Sequence, residues 1–189
     1  MKTINRAIYL LFGFMVLFLI YSYAMEQAKF STGSGGGAIT IPFGANNDYN
    51  DILVTRAVDG DTLKLENGQR VRLIGIDTPE MHESAKLHRD AQRSGQDAGT
   101  IQALGRQSYE FTKKLVEGKR VRLEFDVDKH DQYGRLLAYV YLKDGTFVNA
   151  EIVKQGYASL MTYPPNVRYV DLFQQLYRQA RENQRGLWQ

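Results

Sequence analysis

The strongest constraint on the fold is a period-two alternation of apolar and polar residues that recurs in short segments closed by turn residues. Arg120 to Asp126 reads RVRLEFD, with Val121, Leu123 and Phe125 on one face and charged residues on the other. That is a strand with one side buried. Asp61 to Glu66 and Arg70 to Ile76 alternate likewise, and Asn67-Gly68 between them signals a hairpin. A two-residue turn would set Leu63 opposite Arg72 and mix the two faces. The pattern therefore predicts a three-residue loop, with Gly68 at a positive-φ bulge position and Leu63 opposite Val71. Ile52 to Val58 reads as a first strand, and Arg135 to Leu142, Asp144-Gly145 and Thr146 to Val148 as a further hairpin.

Helical spacing is interleaved with these strands. Leu104, Ser108, Phe111 and Leu115 form one stripe, ending before Gly118. Asn149 suits the cap of a short helix carrying Ile152 and Val153, stopped at Gly156, and Leu172, Phe173, Leu176, Tyr177 and Ala180 make a third stripe. The fold class expected is a β-rich α+β protein, a five-stranded OB-fold barrel, mostly antiparallel, with about three helices.

The body is preceded by a different kind of sequence. Ala7 to Ala24 carries no charge, follows Lys2 and Arg6, and ends in Ser22-Tyr23-Ala24, a small-x-small cleavage pattern. Residues 1–24 thus read as a signal peptide or a membrane anchor, and both place the body outside the cytoplasm, secreted or tethered to the membrane by residues 7–24. Residues 25–50, rich in Gly, Ser and Asn from 31 onward, read as a flexible linker. Residues 51–189 remain for one domain. The chain has no cysteine, which excludes disulfides, thiolate metal sites and a cysteine nucleophile. Its formal net charge is +3, and because Lys2 and Arg6 lie before the leader the rest carries only +1. Whole-molecule charge therefore gives little steering of a polyanion.

Carboxylates gather where strands end. Val58-Asp59-Gly60-Asp61-Thr62 enters the hairpin and Ile76-Asp77-Thr78-Pro79-Glu80 leaves it, so the acids can converge. Asp61 and Asp77 with a nearby carbonyl would make a partial oxygen cage for a hard cation such as Ca²⁺. Each segment alone is also ordinary turn chemistry. Arg72 lies between these acids on the polar face, and Arg135 starts another strand after Asp131-Gln132-Tyr133-Gly134. A guanidinium fork meets phosphate oxygens in pairs and stays charged, although the two arginines could equally balance Asp77 and Asp131 in surface ion pairs worth about 0–1 kcal/mol.

The ordered set DGDT (Asp59 to Thr62), RLIGIDTPE (Arg72 to Glu80), FTKKLV (Phe111 to Val116), YGRLLAYVY (Tyr133 to Tyr141) and RGLW (Arg185 to Trp188) resembles the staphylococcal nuclease family. The resemblance spans nearly all of residues 51 to 189. It implies an OB-fold barrel and Ca²⁺-dependent, sequence-nonspecific hydrolysis of DNA and RNA that leaves 3′-phosphate ends. It makes Asp61 and Asp77 metal carboxylates, with the main-chain carbonyl of Thr78 as a further ligand. Arg72, Glu80 and Arg135 match the family's catalytic positions, Asp59 a carboxylate holding water at the metal, and Tyr133 and Tyr163 nucleotide-binding aromatics. The expected partners are DNA and RNA, single-stranded or locally melted, met by a monomer. The competing class is a noncatalytic OB module that binds single strands, which has no need of the whole acid and arginine set.

Two departures stand out. The segment from Met81 to Tyr109 is longer than in the family and carries His82, His88, Lys86, Arg89 and Arg93, so access to the site is expected to differ. Gln132 stands where the family has a lysine near the terminal phosphate, which weakens the expectation of a preference for strand ends. His82 and His88 lack helical i, i+4 partners and read as loop residues, not metal ligands.

Overall fold

A computed structural model describes residues 49–189. The leader, and the linker as far as residue 48, lie outside the described residues. The elements follow as β1 (Ile52–Asp59), β2 (Thr62–Leu65), β3 (Arg70–Leu73), β4 (Gly75–Asp77), α1 (Ala85–Ser94), α2 (Ala98–Val116), β5 (Arg120–Glu124), β6 (Leu136–Leu142), α3 (Val148–Lys154), β7 (Ser159–Met161) and α4 (Val170–Glu182), with a closing 3₁₀ turn, Gly186–Trp188. Five strands close into a barrel in the order β1-β2-β3-β6-β5, and β4 and β7 pair apart as a two-stranded sheet. This is the expected five-stranded barrel, with four α-helices among the described residues where about three were expected.

The first hairpin has the register read from its sequence: Leu63 faces Val71, and Gly68 has φ of +84°. Leu63, Leu65, Val71 and Leu73 are all buried on one face of it. Its second strand is shorter than the alternation suggested. The chain breaks at Ile74, and Gly75, at φ +84°, starts β4 toward a different partner, β7. A Cβ on Gly75 would also lie 2.4 Å from the Phe173 ring of α4, so this corner needs glycine for both backbone and space. The closure is mostly antiparallel, as expected, with one parallel pair, β3 with β6 (Val71 with Leu136 and Arg72 with Leu137).

Three further expectations are corrected. Thr146 to Val148 makes only an isolated bridge, Tyr141 with Phe147, because Val148 already belongs to α3 and is buried with Ile152 and Val153. In α2 the buried line is Ile101, Gly105, Ser108, Thr112 and Val116, while Phe111 and Leu115 flank it half-buried. Small residues hold the centre because the helix lies almost on barrel backbone: Thr112 Oγ1 donates to Gly60 O (2.7 Å) and Ser108 Oγ to Tyr157 O (2.8 Å). In the α4 stripe Phe173 and Ala180 are buried, but Leu172 faces solvent.

Asn149 is not a cap. It lies inside α3, fully buried, where its Oδ1 accepts from Val140 N (3.0 Å) and its Nδ2 donates to Ile74 O (2.9 Å) and, more weakly, Ala138 O (3.4 Å). One side-chain amide thus satisfies backbone groups on β6 and at the β3–β4 break. Asn149→Ala is expected to cost about 2–4 kcal/mol by stranding those groups, read as a lowered urea midpoint at unchanged m-value.

Candidate active site

The end of the β1–β2 turn and the β4 exit converge on one face of the barrel. Asp61 is 5% exposed, and its Oδ2 accepts from Thr78 N and from Thr78 Oγ1, both at 2.9 Å. Thr62 Oγ1 donates to its Oδ1 at 3.0 Å. Arg72, outward-facing on β3, spans the two acids: Nη1 lies 2.7 Å from Asp61 Oδ2 and Nη2 donates to Asp77 Oδ1 at 2.8 Å. The Nη1 contact is an ion pair off the hydrogen-bond line, so this buried nitrogen still lacks an aligned acceptor.

Lys86, on α1, completes the cluster. Its Nζ lies 3.0 Å from Asp77 Oδ1, 3.0 Å from Glu80 Oε1 and 3.2 Å from the Thr78 carbonyl. The sequence marked Lys86 only as one of several cations in the long insertion. Its partners are set by where the start of α1 packs against the β4 exit, which no local sequence pattern encodes. That helix is capped by Ser84, whose Oγ accepts from Leu87 N, and ends at Gly95. His88 is on α1, not in a loop, and is exposed beside Glu83, and His82 precedes the helix in a bend. Glu80 is set from behind by α2: a Cβ on Gly105 would sit 2.6 Å from the Glu80 carbonyl, so helix and loop touch backbone to backbone.

Burial and crowding shape the charges. Burial, then the neighbouring Asp61 carboxylate, pushes Asp59 up to about 6. Burial also raises Asp77 above the usual carboxylate value, against the opposing pull of Lys86 and Arg72. Lys86 is partly desolvated, which works against its charge, yet Asp77 and Glu80 outweigh that and hold its ammonium above its ordinary value.

These residues line a cleft of about 630 Å³ that also takes in Tyr133, Arg135, Tyr163 and Asp131. Every residue given a site role in the sequence except Thr78 lines it, and Thr78 touches Asp61 from within the wall, while His82, His88, Arg89 and Arg93 of the insertion do not line it. Tyr133 and Tyr163, 75% and 73% exposed, stand on the rim. Arg135 sits 5.5 Å from the Tyr133 ring centroid, and its Nε donates to Asp131 Oδ2 at 2.7 Å. Both ion pairs offered as the plain alternative role of the arginines are therefore present, within the cleft itself. Among the described residues no three His, Asp or Glu side chains are grouped to hold a metal ion. The set that can is two carboxylates, Asp61 and Asp77, with the Thr78 carbonyl. These are hard oxygens, and the Lys86 ammonium lies on two of them, Asp77 Oδ1 and the Thr78 carbonyl, as well as on Glu80.

The Staphylococcal nuclease homologue family model matches residues 70–189. The chain is 34% identical to the thermonuclease of Staphylococcus intermedius, over 100% of this chain and 99% of that one. It is 33% identical to the thermonuclease of Staphylococcus hyicus, over 76% and 79% respectively. It is also 36% identical to the endonuclease YncB of Bacillus subtilis, over 73% of this chain and 61% of the relative.

Asp131 supplies a pH test of the Arg135 mounting. Partial burial opposes its charge, but hydrogen bonds from Arg135 Nε and from the Arg135 and Tyr133 N–H groups prevail and lower its pKa. A carboxylate lowered in the fold contributes stability that is full above the unfolded value of about 3.9 and lost as pH falls through the folded value. Asp131→Asn is therefore expected to lower the urea midpoint most at pH 6–7, with the gap closing below about pH 3.9. A gap constant with pH would refute the electrostatic account.

Proposed function

The chain belongs to the staphylococcal nuclease family, and on that footing we propose that it is a phosphodiester hydrolase, a Ca²⁺-dependent nonspecific nuclease of DNA and RNA that leaves 3′-phosphate ends. The observation that carries the reading is the Asp61–Arg72–Asp77 bridge, with Glu80 held beside it by Lys86, in one cleft with Arg135. A pure binding module gains nothing from four clustered acids, which would repel a phosphate chain. Paired with a cation and two guanidinium groups, the same acids suit hydrolysis.

The roles follow from each group's chemistry. Asp61, Asp77 and the Thr78 carbonyl would hold Ca²⁺, which would supply positive charge to the bound phosphate. Arg72, held between Asp61 and Asp77, brings its guanidinium charge to the phosphate beside the two acids. Arg135, anchored by Asp131, brings the second fork to the extra negative charge of the five-coordinate transition state. Glu80 accepts or orients the proton of the attacking water, which enters in line and expels the 5′-oxygen. Asp59 accepts hydrogen bonds from water in the cleft. Tyr133 and Tyr163 stack on bases without reading their edges, which favours single-stranded or melted substrate.

The leader supports placement outside the cytoplasm, with the body secreted or tethered through residues 7–24. Among the described residues no helix is long and apolar enough to cross a membrane. The domain is proposed to act as a monomer.

Two experiments test the reading. The full chain with Ca²⁺ is expected to degrade denatured DNA to 3′-phosphate fragments and to stop in chelator, and cleavage that persists in chelator would overturn the metal assignment. Arg72→Lys keeps a positive charge between the acids but loses the fork. It is expected to lower kcat/KM by about 10²–10³-fold, far more than it lowers folding stability, and near-normal turnover would remove Arg72 from the reaction.

A further inference from the structure

A second basic feature leads away from the cleft. On β3, Arg70 and Arg72 flank buried Val71 and so share the outer face of the barrel, about 7 Å apart along the strand. Lys64 on β2, between buried Leu63 and Leu65, points outward too and is in register with Arg70. Arg56 on β1 is in register with Lys64, and a bulge between Val54 and Arg56 keeps it exposed while Val54 and Ala57 stay in the core. Three cations thus stand in one row across three adjacent strands. The row begins beside the site, because parallel pairing of β3 with β6 (Val71 with Leu136) brings Arg135 alongside Arg70.

The surface follows the same line. A hollow of about 580 Å³ lined by Gly68, Gln69, Arg70, Tyr133, Gly134 and Arg135 shares Tyr133 and Arg135, from the turn before β6, with the main cleft. Several other surface cations do meet acids: Arg120 pairs with Glu66, Lys143 with Asp51, and Arg168 with Glu124. Among the described residues Arg56, Lys64 and Arg70 make no side-chain ion pair. Three neighbouring like charges left unneutralised repel one another and cost stability unless an anion is there to be met.

We propose that Arg70, Lys64 and Arg56 form a phosphate-binding track that continues the cleft over the outer face of β3, β2 and β1 and holds a single-stranded polynucleotide beyond the scissile bond. From Arg72 the row reaches about 17 Å, the length of about five stacked nucleotides. The ligand is a polyanion with regularly spaced charges. The track explains how a body of net charge +1 grips nucleic acid, since the affinity comes from a local line of charge and not from the molecule's overall field. This inference rests on the nuclease reading but is separable from it.

The test compares the full chain with the triple variant Arg56→Gln, Lys64→Gln, Arg70→Gln, none of which lies in the proposed catalytic set. Binding of a fluorescent 20-nucleotide thymidine oligomer is followed by anisotropy in chelator, across 50–200 mM salt. Loss of three phosphate contacts is expected to make the slope of log K against log salt shallower by about 2 and binding at 50 mM salt about 10²-fold weaker. A variant with Arg56→Lys and Arg70→Lys keeps the wild-type slope, because point charges suffice for such contacts. With Ca²⁺, the triple variant raises KM for the 20-mer and leaves kcat and the cleavage of a dinucleotide unchanged. An unchanged salt slope, or equal losses on the 20-mer and the dinucleotide, overturns the track. Wild-type binding that depends on the three cations without any cleavage supports the track and overturns the nuclease reading instead.

Discussion

The Asp61 carboxylate, buried and charged at the entrance to the first hairpin, is the interaction on which the site depends. Removing a carboxylate from water is costly unless its oxygens are filled, and here they are filled by Thr78 through both N–H and hydroxyl, by Thr62, and by the Arg72 guanidinium. Those contacts pin the β4 exit to the β2 entrance, so Asp77 arrives beside Asp61 and Glu80 follows on the next residues. One satisfied buried charge therefore sets the spacing of the others.

The rest of the molecule holds that pairing in place from behind. Helix α2 presses its Gly105, Ser108 and Thr112 line onto backbone at Glu80, Tyr157 and Gly60, and the Asn149 amide ties β6 to the β3–β4 break. Polar and small residues carry these contacts because the surfaces that meet are main chain, where a large side chain would hold the elements apart. The apolar core closes the barrel, and the polar line fixes where its upper loops lie.

Much of this was legible in sequence where the cause is local. Period-two alternation and an Asn-Gly turn gave the hairpin its register, since a slip of one residue would have turned Leu63 and Val71 to water. Adjacent motif blocks gave the family, and every side chain they singled out lies at one site. What was missed is non-local. The break at Ile74 looks like continued alternation until β7 is present to take β4, and Asn149 looks like a cap until its three backbone partners are brought together. The rotated stripe of α2 was hidden because Gly, Ser and Thr carry no apolar signal.

Composition and pattern by themselves determined most of the barrel strands, the hairpin register, the absence of thiol chemistry, and the acids and arginines that are candidates for one site, because each depends on side-chain type and near-neighbour spacing. Tertiary structure alone decided that Lys86 joins Asp77 to Glu80, that β3 meets β6 in parallel, and that Arg56 extends the Lys64–Arg70 pair of the hairpin into a row beside the cleft. Those relations join residues up to tens of positions apart, and only the closure of the barrel brings them within reach of one another.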